Sequence, residues 1–290
     1  MRIALVDAGS NSFILLIAEK KDGKVNYLLD LSTIVGMGKM KCEDDGIFEK
    51  ALKTTEKYLR ISEEYGVSKR IIVGTEVFRK LPSKYFEKLS EKFDSARILS
   101  GKEEAELSYL SVADDEKIPI HSPLVMDIGG GSVEYSFKIE KGLISRSIPM
   151  GAIVLTEKYV RSYPVHDQLE NAKKFIEKEL SFLPQLPLVS IGGTGTTVAS
   201  VLKGKPFSAS LIHGIYISIN EIESLYKRVC SMSLNEVSNL PGMEKGREKV
   251  IAAGMLILLE SAKMSSNRGI YISIRGHRYA MAKKILESGI

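Results

Sequence analysis

Two stretches of this chain have residue types and a spacing suited to holding a phosphate group. Residues 7–12 read Asp7-Ala8-Gly9-Ser10-Asn11-Ser12, and residues 127–132 read Asp127-Ile128-Gly129-Gly130-Gly131-Ser132. Both are D-x-G-x-x-S behind an apolar strand. The glycines permit a tight strand-to-strand turn whose backbone N–H groups converge on an anion, and Ser12 and Ser132 add hydroxyl donors. One copy alone is explained as well by an ordinary glycine-rich hairpin; two copies, each led by an aspartate, favour phosphate. A third loop, 192–197 (GGTGTT), leads from a strand into a helix, where Gly193 and Thr194 would offer free N–H groups and the positive end of a helix dipole. Its alternative is close helix–strand packing by glycine.

Acidic residues accompany these loops. Asp7 and Asp127 end apolar strands, where a carboxylate needs a cation, a donor network or water, and Mg²⁺ held partly through its own waters suits them. Strand alternation puts Glu134 on the side of Ser132, as a third acid for the site or as a solvent-facing residue. In residues 100–105 (SGKEEA), Ser100 and Glu103 form a capping-box pattern, which leaves Glu104 unclaimed. Such a carboxylate can deprotonate water against phosphorus, although a surface glutamate on a first helical turn is also consistent with the sequence. Arg79 is equally suited to clamping a phosphate and to pairing with an acidic neighbour.

Other chemistries lack their context. The glycines at 129–131 are followed by the alternating run 133–139, a strand and not the helix a dinucleotide-binding fingerprint requires. There is no Walker A pattern and no G-x-S-x-G elbow, and His121, His166, His213 and His277 show no metal-ligand spacing.

The elements that must position these residues form an internal repeat. Each D-x-G-x-x-S copy opens a meander of three strands. The first half continues with a helix at 47–65, a strand at 70–74, a helix at 83–93, a strand at 96–99 and a helix at 102–111. The second continues with helices at 153–160 and 166–180, a strand at 186–191 and a helix opening in 192–197. Helices at 221–229 and 247–264, a strand at 270–274 and a terminal helix complete it. The expected fold is α/β, with one lobe over 1–119, which the helix 277–290 can join, and a second over 120–276.

Composition agrees with this and adds little. At 290 residues and 44% apolar content there is material for two cores. Cys42 and Cys230 are far apart, which fits a reducing compartment and no disulfide framework. No apolar run approaches a membrane span and no signal-peptide core precedes Asp7, so a cytoplasmic protein is expected. The net charge of +5 comes from lysines scattered over helices, and no nucleic-acid-binding signature accompanies it.

With these motifs in order, the chain resembles the exopolyphosphatase/guanosine pentaphosphate phosphatase family over nearly its whole length. The carrying segments are 7–12, 75–79 (TEVFR), 100–105, 127–134 (DIGGGSVE), 149–156 (PMGAIVLT), 192–197, 240–247 (LPGMEKGR) and 275–278 (RGHR). The resemblance implies a duplicated ribonuclease H-like fold, shared with actin, sugar kinases and Hsp70-type ATPases, with a cleft between two lobes that close over the phosphates. It implies that Glu104 is the base that activates water, and that Asp127 and Glu134, with Asp7 on the other lobe, are Mg²⁺-associated acids. Ser10, Asn11 and Ser12, Gly129 to Ser132, and Gly193 with Thr194 become phosphate cradles, and Arg79 a clamp. Inorganic polyphosphate or a guanosine polyphosphate is the implied substrate, and a homodimer the implied assembly. A nucleotide-responsive binding protein and a sugar or acetate kinase are the other classes the fold admits. The chain departs from the family where relatives usually carry a basic residue after the first motif and here stands Ile14. It departs again where T-R-L-G-E-G is usual and here stand Thr33-Ile34-Val35-Gly36-Met37-Gly38, and where S-x-R-G-x-R-E-G is usual and here stand residues 273–280, SIRGHRYA. Each lost charged contact removes about 1–3 kcal/mol from the grip on a long polyphosphate.

Overall fold

In the computed structural model, residues 1–40 and 46–288 are described; Cys42 lies outside them. Two compact units emerge, Met1–Leu107 with His277–Ile290, and Ser108–Gly276. No helix among the described residues is long and apolar enough to cross a membrane.

The first unit is built on strands β1 (Arg2–Ala8), β2 (Ser12–Lys21), β3 (Lys24–Ile34), β4 (Lys69–Gly74) and β5 (Ser95–Ile98). They form a five-stranded sheet in the order β3-β2-β1-β4-β5. The meander β1–β3 is antiparallel, and β4 and β5 join parallel to β1 through helical crossovers. Alternation divides β1 between two faces: Ala4, Val6 and Ala8 enter a core with Phe13, Leu15 and Ile17, leaving Ile3, Leu5 and Asp7 on the opposite face. Helix α1 (Ile47–Glu64) closes the first core, and its Tyr58 hydroxyl donates to the Phe13 carbonyl at 2.9 Å. Helices α2 (Glu76–Lys80) and α3 (Ser83–Ser90) follow β4, and α4 (Gly101–Ala113) follows β5. The division between the units falls inside α4.

The second unit repeats the plan. Strands β6 (Leu124–Ile128), β7 (Val133–Ile139) and β8 (Gly142–Ile148) are an antiparallel meander, and β9 (Leu188–Ile191) runs parallel to β6. With β10 (Tyr216–Ser218) and β11 (Gly269–Ile272) they form a six-stranded sheet in the order β10-β11-β9-β6-β7-β8. Read from β8, this is the order of the first sheet with β10 added antiparallel at the edge. Helices α5 (Ala152–Tyr159), α6 (Glu170–Glu179), α7 (Gly192–Lys203), α8 (Ala209–Ile212), α9 (Ile219–Ser231), α10 (Leu234–Ser238) and α11 (Ile251–Met264) surround it, and α12 (His277–Ser288) returns to pack on β1 and β2 of the first unit. Buried almost from end to end, α11 centres a core that also takes in Leu124, Met126, Tyr135 and Ile176.

The fold class and the duplicated meander are as the sequence led us to expect. Four short elements were not expected: α2, α8, β10 and α10 are too brief to display a period. The helix expected from residue 247 begins at Ile251, because Val250 N–H bonds the Arg247 carbonyl three residues back and closes a turn first. Residues 166–169 form a 3₁₀ turn ahead of α6.

One close approach fixes the second hairpin. The amides of Gly151, Ala152 and Ile153 donate to the carbonyls of Gly131, Gly129 and Gly130 at 3.1, 2.9 and 3.0 Å. A Cβ on Gly151 would overlap the Gly130 carbonyl. Gly151→Ala is therefore expected to destabilise the protein by about 1–3 kcal/mol, read as a lower urea midpoint, whereas an unchanged midpoint would mean that this contact relaxes freely.

Candidate active site

The two D-x-G-x-x-S turns have the same geometry. Gly9 N–H donates to the Ser12 carbonyl at 3.1 Å, and Gly129 N–H to the Ser132 carbonyl at 3.0 Å. In the second turn the three glycine carbonyls are taken by residues 151–154, and in the first the Ser10 and Asn11 carbonyls accept from Gly38, Val35 and Gly36. Among the described residues the amides of Ser10, Asn11, Gly130 and Gly131 donate to no backbone carbonyl. Acceptors are thus consumed on the protein side, and donors are left for an anion.

In the first unit these donors adjoin a charged cluster. Asp7, at the end of β1, is 7% exposed. Its Oδ2 lies 3.3 Å from Nε2 of His277, the first residue of α12, and its Oδ1 is buried with no hydrogen-bond partner. On α4, Glu104 Oε2 meets Arg79 Nη1 of α2 at 3.2 Å, and the same guanidinium nitrogen donates to the Leu99 carbonyl at 2.6 Å. The capping box is present as read, with Glu103 N–H donating to Ser100 Oγ at 3.2 Å and Ser100 N–H to Glu103 Oε2 at 2.9 Å. Glu103 therefore serves the helix end and Glu104 faces Arg79.

Burial is the main influence on Glu104 and raises its carboxyl above the ordinary glutamate range; the charge on His277 pulls it down, Asp7 pushes it up, and Arg79 opposes the rise. For His277, burial alone would lower the pKa. The nearby carboxylates of Asp7 and Glu104 outweigh it and push the imidazole up to about 9. A histidine raised in this way contributes stability that is full below the free value of 6.5 and is lost as pH rises through about 9.

In the second unit, Asp127 at the end of β6 abuts the start of α7: a Cβ on Gly192 would lie 2.5 Å from Asp127 Oδ1. A carboxylate is favoured there by the helix dipole. Beside it, a Cβ on Gly193 would overlap the guanidinium of Arg247, whose Nε donates to Glu244 at 2.6 Å. Glu134 is held by the hydroxyls of Ser132 and Ser147, at 2.5 and 2.7 Å. Thr194, 4% exposed, packs its side chain against Gly254 of α11. The site residues expected from the sequence thus fall into two groups, Asp7, Ser10 to Ser12, Arg79 and Glu104 in one unit, and Asp127, Gly129 to Ser132, Glu134, Gly193 and Thr194 in the other.

Two functional candidates were missed. His277 lacks metal-ligand spacing because its partners come from the far end of the chain, and its only signal is its place in the R-G-H-R segment. Arg247 closes the L-P-G-M-E-K-G-R segment, and nothing in that segment announces the Gly192–Gly193 turn. Among the described residues, no three His, Cys, Asp or Glu side chains gather as a metal cage. The unpartnered Asp7 Oδ1 fits an ion that takes one or two carboxylates and otherwise keeps its waters. If Asp7 holds the proton on His277, Asp7→Asn should move the imidazole titration, followed by NMR, from about 9 towards 6.5; a midpoint that stays in place would dismiss the pairing.

Comparison with known proteins gives the family of the chain. The sequence profile of the Ppx/GppA phosphatase family matches residues 16–288. The chain is 29% identical over 287 residues to a bifunctional 3-dehydroquinate synthase/phosphatase of Fusobacterium nucleatum, covering 89% of this chain and 42% of that protein, so it spans less than half of that relative. It is 24% identical to exopolyphosphatase 2 of Mycobacterium tuberculosis, covering 90% of both. The crystal structure of the Aquifex aeolicus Ppx/GppA family member superposes with a TM-score of 0.85 at 27% identity, over 100% of this chain and 99% of that one. An exopolyphosphatase from Cytophaga hutchinsonii does so with 0.86 at 21% identity, over 99% and 98%, a likeness of fold. With the profile spanning residues 16–288, from within β2 to the end of α12, the chain belongs to the Ppx/GppA phosphatase family.

Proposed function

We propose that the chain is a Mg²⁺-dependent exopolyphosphatase that releases terminal orthophosphate from inorganic polyphosphate. The observation that carries this reading is Glu104, a half-buried carboxylate of raised pKa set against Arg79 in the unit that also holds Asp7 and the Ser10–Ser12 turn. Ionised Glu104 takes a proton from water as its oxygen attacks the terminal phosphorus; the bridging P–O bond breaks and the shortened chain leaves with the electron pair. Amides of the two glycine turns and of the start of α7, with Arg79 and Arg247, spread the negative charge of the phosphates. Asp7, Asp127 and Glu134 would hold magnesium, which when bound would neutralise phosphate oxygens. We read the protein further as a cytoplasmic homodimer that acts on phosphate chains and not on nucleic acid, with one lobe over 1–119 joined by the helix 277–290 and the other over 120–276.

Guanosine pentaphosphate is the second reading, favoured by one observation. Ile14 pairs across the strands with Asp7, and Ile34 with Ser12, so apolar side chains share the face of the sheet that carries Asp7. A long polyanion gains no charge contact from either.

The decisive assay is phosphate release from long polyphosphate, short polyphosphate and guanosine pentaphosphate, with and without Mg²⁺. Glu104→Gln should lower turnover by about 10²–10⁴-fold. Chelation should abolish it, and a variant as fast as wild type on all three substrates would remove Glu104 from the reaction. On the same substrates Ile14→Arg should lower KM for long polyphosphate by about tenfold, the worth of one charge-assisted hydrogen bond, and leave guanosine pentaphosphate nearly unchanged. Equal effects on both would deny that Ile14 sets the preference.

A further inference from the structure

A cavity of about 520 Å³ lies in the first unit, on the face of the sheet that carries Leu5 and Asp7 but towards the opposite end of α12 from His277. Strand alternation and helical spacing place its lining together. Lys69 and Ile71 come from β4, Ser95 and Arg97 from the neighbouring β5, Glu103, Glu106 and Leu107 from α4, and the 281, 284 and 285 positions from α12. Ile71, Leu107 and Met281 are buried and make an apolar floor, with Ile285 beside them. The rim is charged, with three cations against two carboxylates.

The charges are not matched among themselves. Arg97 pairs with Glu103 at 3.1 Å. Lys69 and Lys284, by contrast, make no ion pair among the described residues. A depression of this volume, with an apolar floor and one more cation than carboxylate at its rim, suits a small amphiphilic anion. None of its residues belongs to the phosphate turns.

We propose that this cavity binds a small organic anion with an apolar body, its charged head at the lysine rim and its body on Ile71, Leu107 and Met281. Glu103 gives the site a line to the chemistry: the same carboxylate pairs with Arg97 at the rim and closes the capping box at the start of α4, one residue before Glu104. An anionic head that draws Arg97 away from Glu103 acts on the turn that carries Glu104. That consequence rests on the proposed hydrolysis; the binding does not.

Hexanoate is a suitable probe, titrated into the whole protein with the Met281 methyl resonance as the local reporter and calorimetry for affinity. We expect saturable binding at about millimolar concentration, and about tenfold weaker binding by Lys69→Gln/Lys284→Gln and by acetate, which lacks the apolar body. Lys284 is exposed and Lys69 half-buried with no ion pair to lose among the described residues, so the variant should keep its fold, which circular dichroism checks. Inorganic phosphate should not displace hexanoate. The proposal fails if the Met281 resonance is unmoved up to about 10 mM, if the double variant binds as well as wild type, or if phosphate competes and so locates the probe at the glycine turns.

Discussion

A carboxylate at the end of a strand whose neighbours are apolar cannot stand alone, because its charge has lost water without gaining a partner. This chain meets that constraint twice, by different means. Asp7 is answered by the imidazolium of His277, brought by the last helix, and Asp127 by the amide end of α7, whose first residues are glycines that let the backbone come up to the acid. Each solution also leaves something over. On Asp7 it is one buried oxygen without a partner, and beside Asp127 it is a guanidinium, Arg247, laid across Gly193. A cation with its waters and an oxyanion are what such remainders attract.

The duplication carries the same logic into the loops. A glycine turn becomes an anion cradle only when its carbonyls are occupied elsewhere, and the segment after the third strand of each meander supplies the donors that occupy them. The partners differ between copies, since residues 35–38 serve the first turn and residues 151–154 the second, but the outcome is shared. Two of the departures from the family's usual pattern, Ile14 and Ile34, fall beside the first glycine turn. Ile14 and Ile34 make that face less cationic, while Arg278 and Tyr279 of α12 both bind Asp30 of β3, at 2.7 and 2.6 Å, and are thereby committed to structure.

Repeats and glycine motifs were legible because they are local: strand, turn and strand are contiguous, and alternation put Ser132 and Glu134 together correctly. The capping box was legible for the same reason. Glu104 was not separable from a surface glutamate by its own segment, since its burial and its meeting with Arg79 arise from the packing of α4 near the short helix α2, an element without a period to read. His277 was dismissed on spacing, yet spacing speaks only of ligands near one another in the chain. Contacts made across the whole length of the sequence leave no local trace.

The first unit is discontinuous. Its sheet is complete by Ile98, but the helix that covers β1 and β2 and brings the counter-ion to Asp7 begins only at His277. During synthesis a ribosome must therefore make the entire second unit before the first can be finished. Until then an acid and an apolar sheet face stay uncovered, and the counter-ion of Asp7 arrives only with a helix made after the whole second unit.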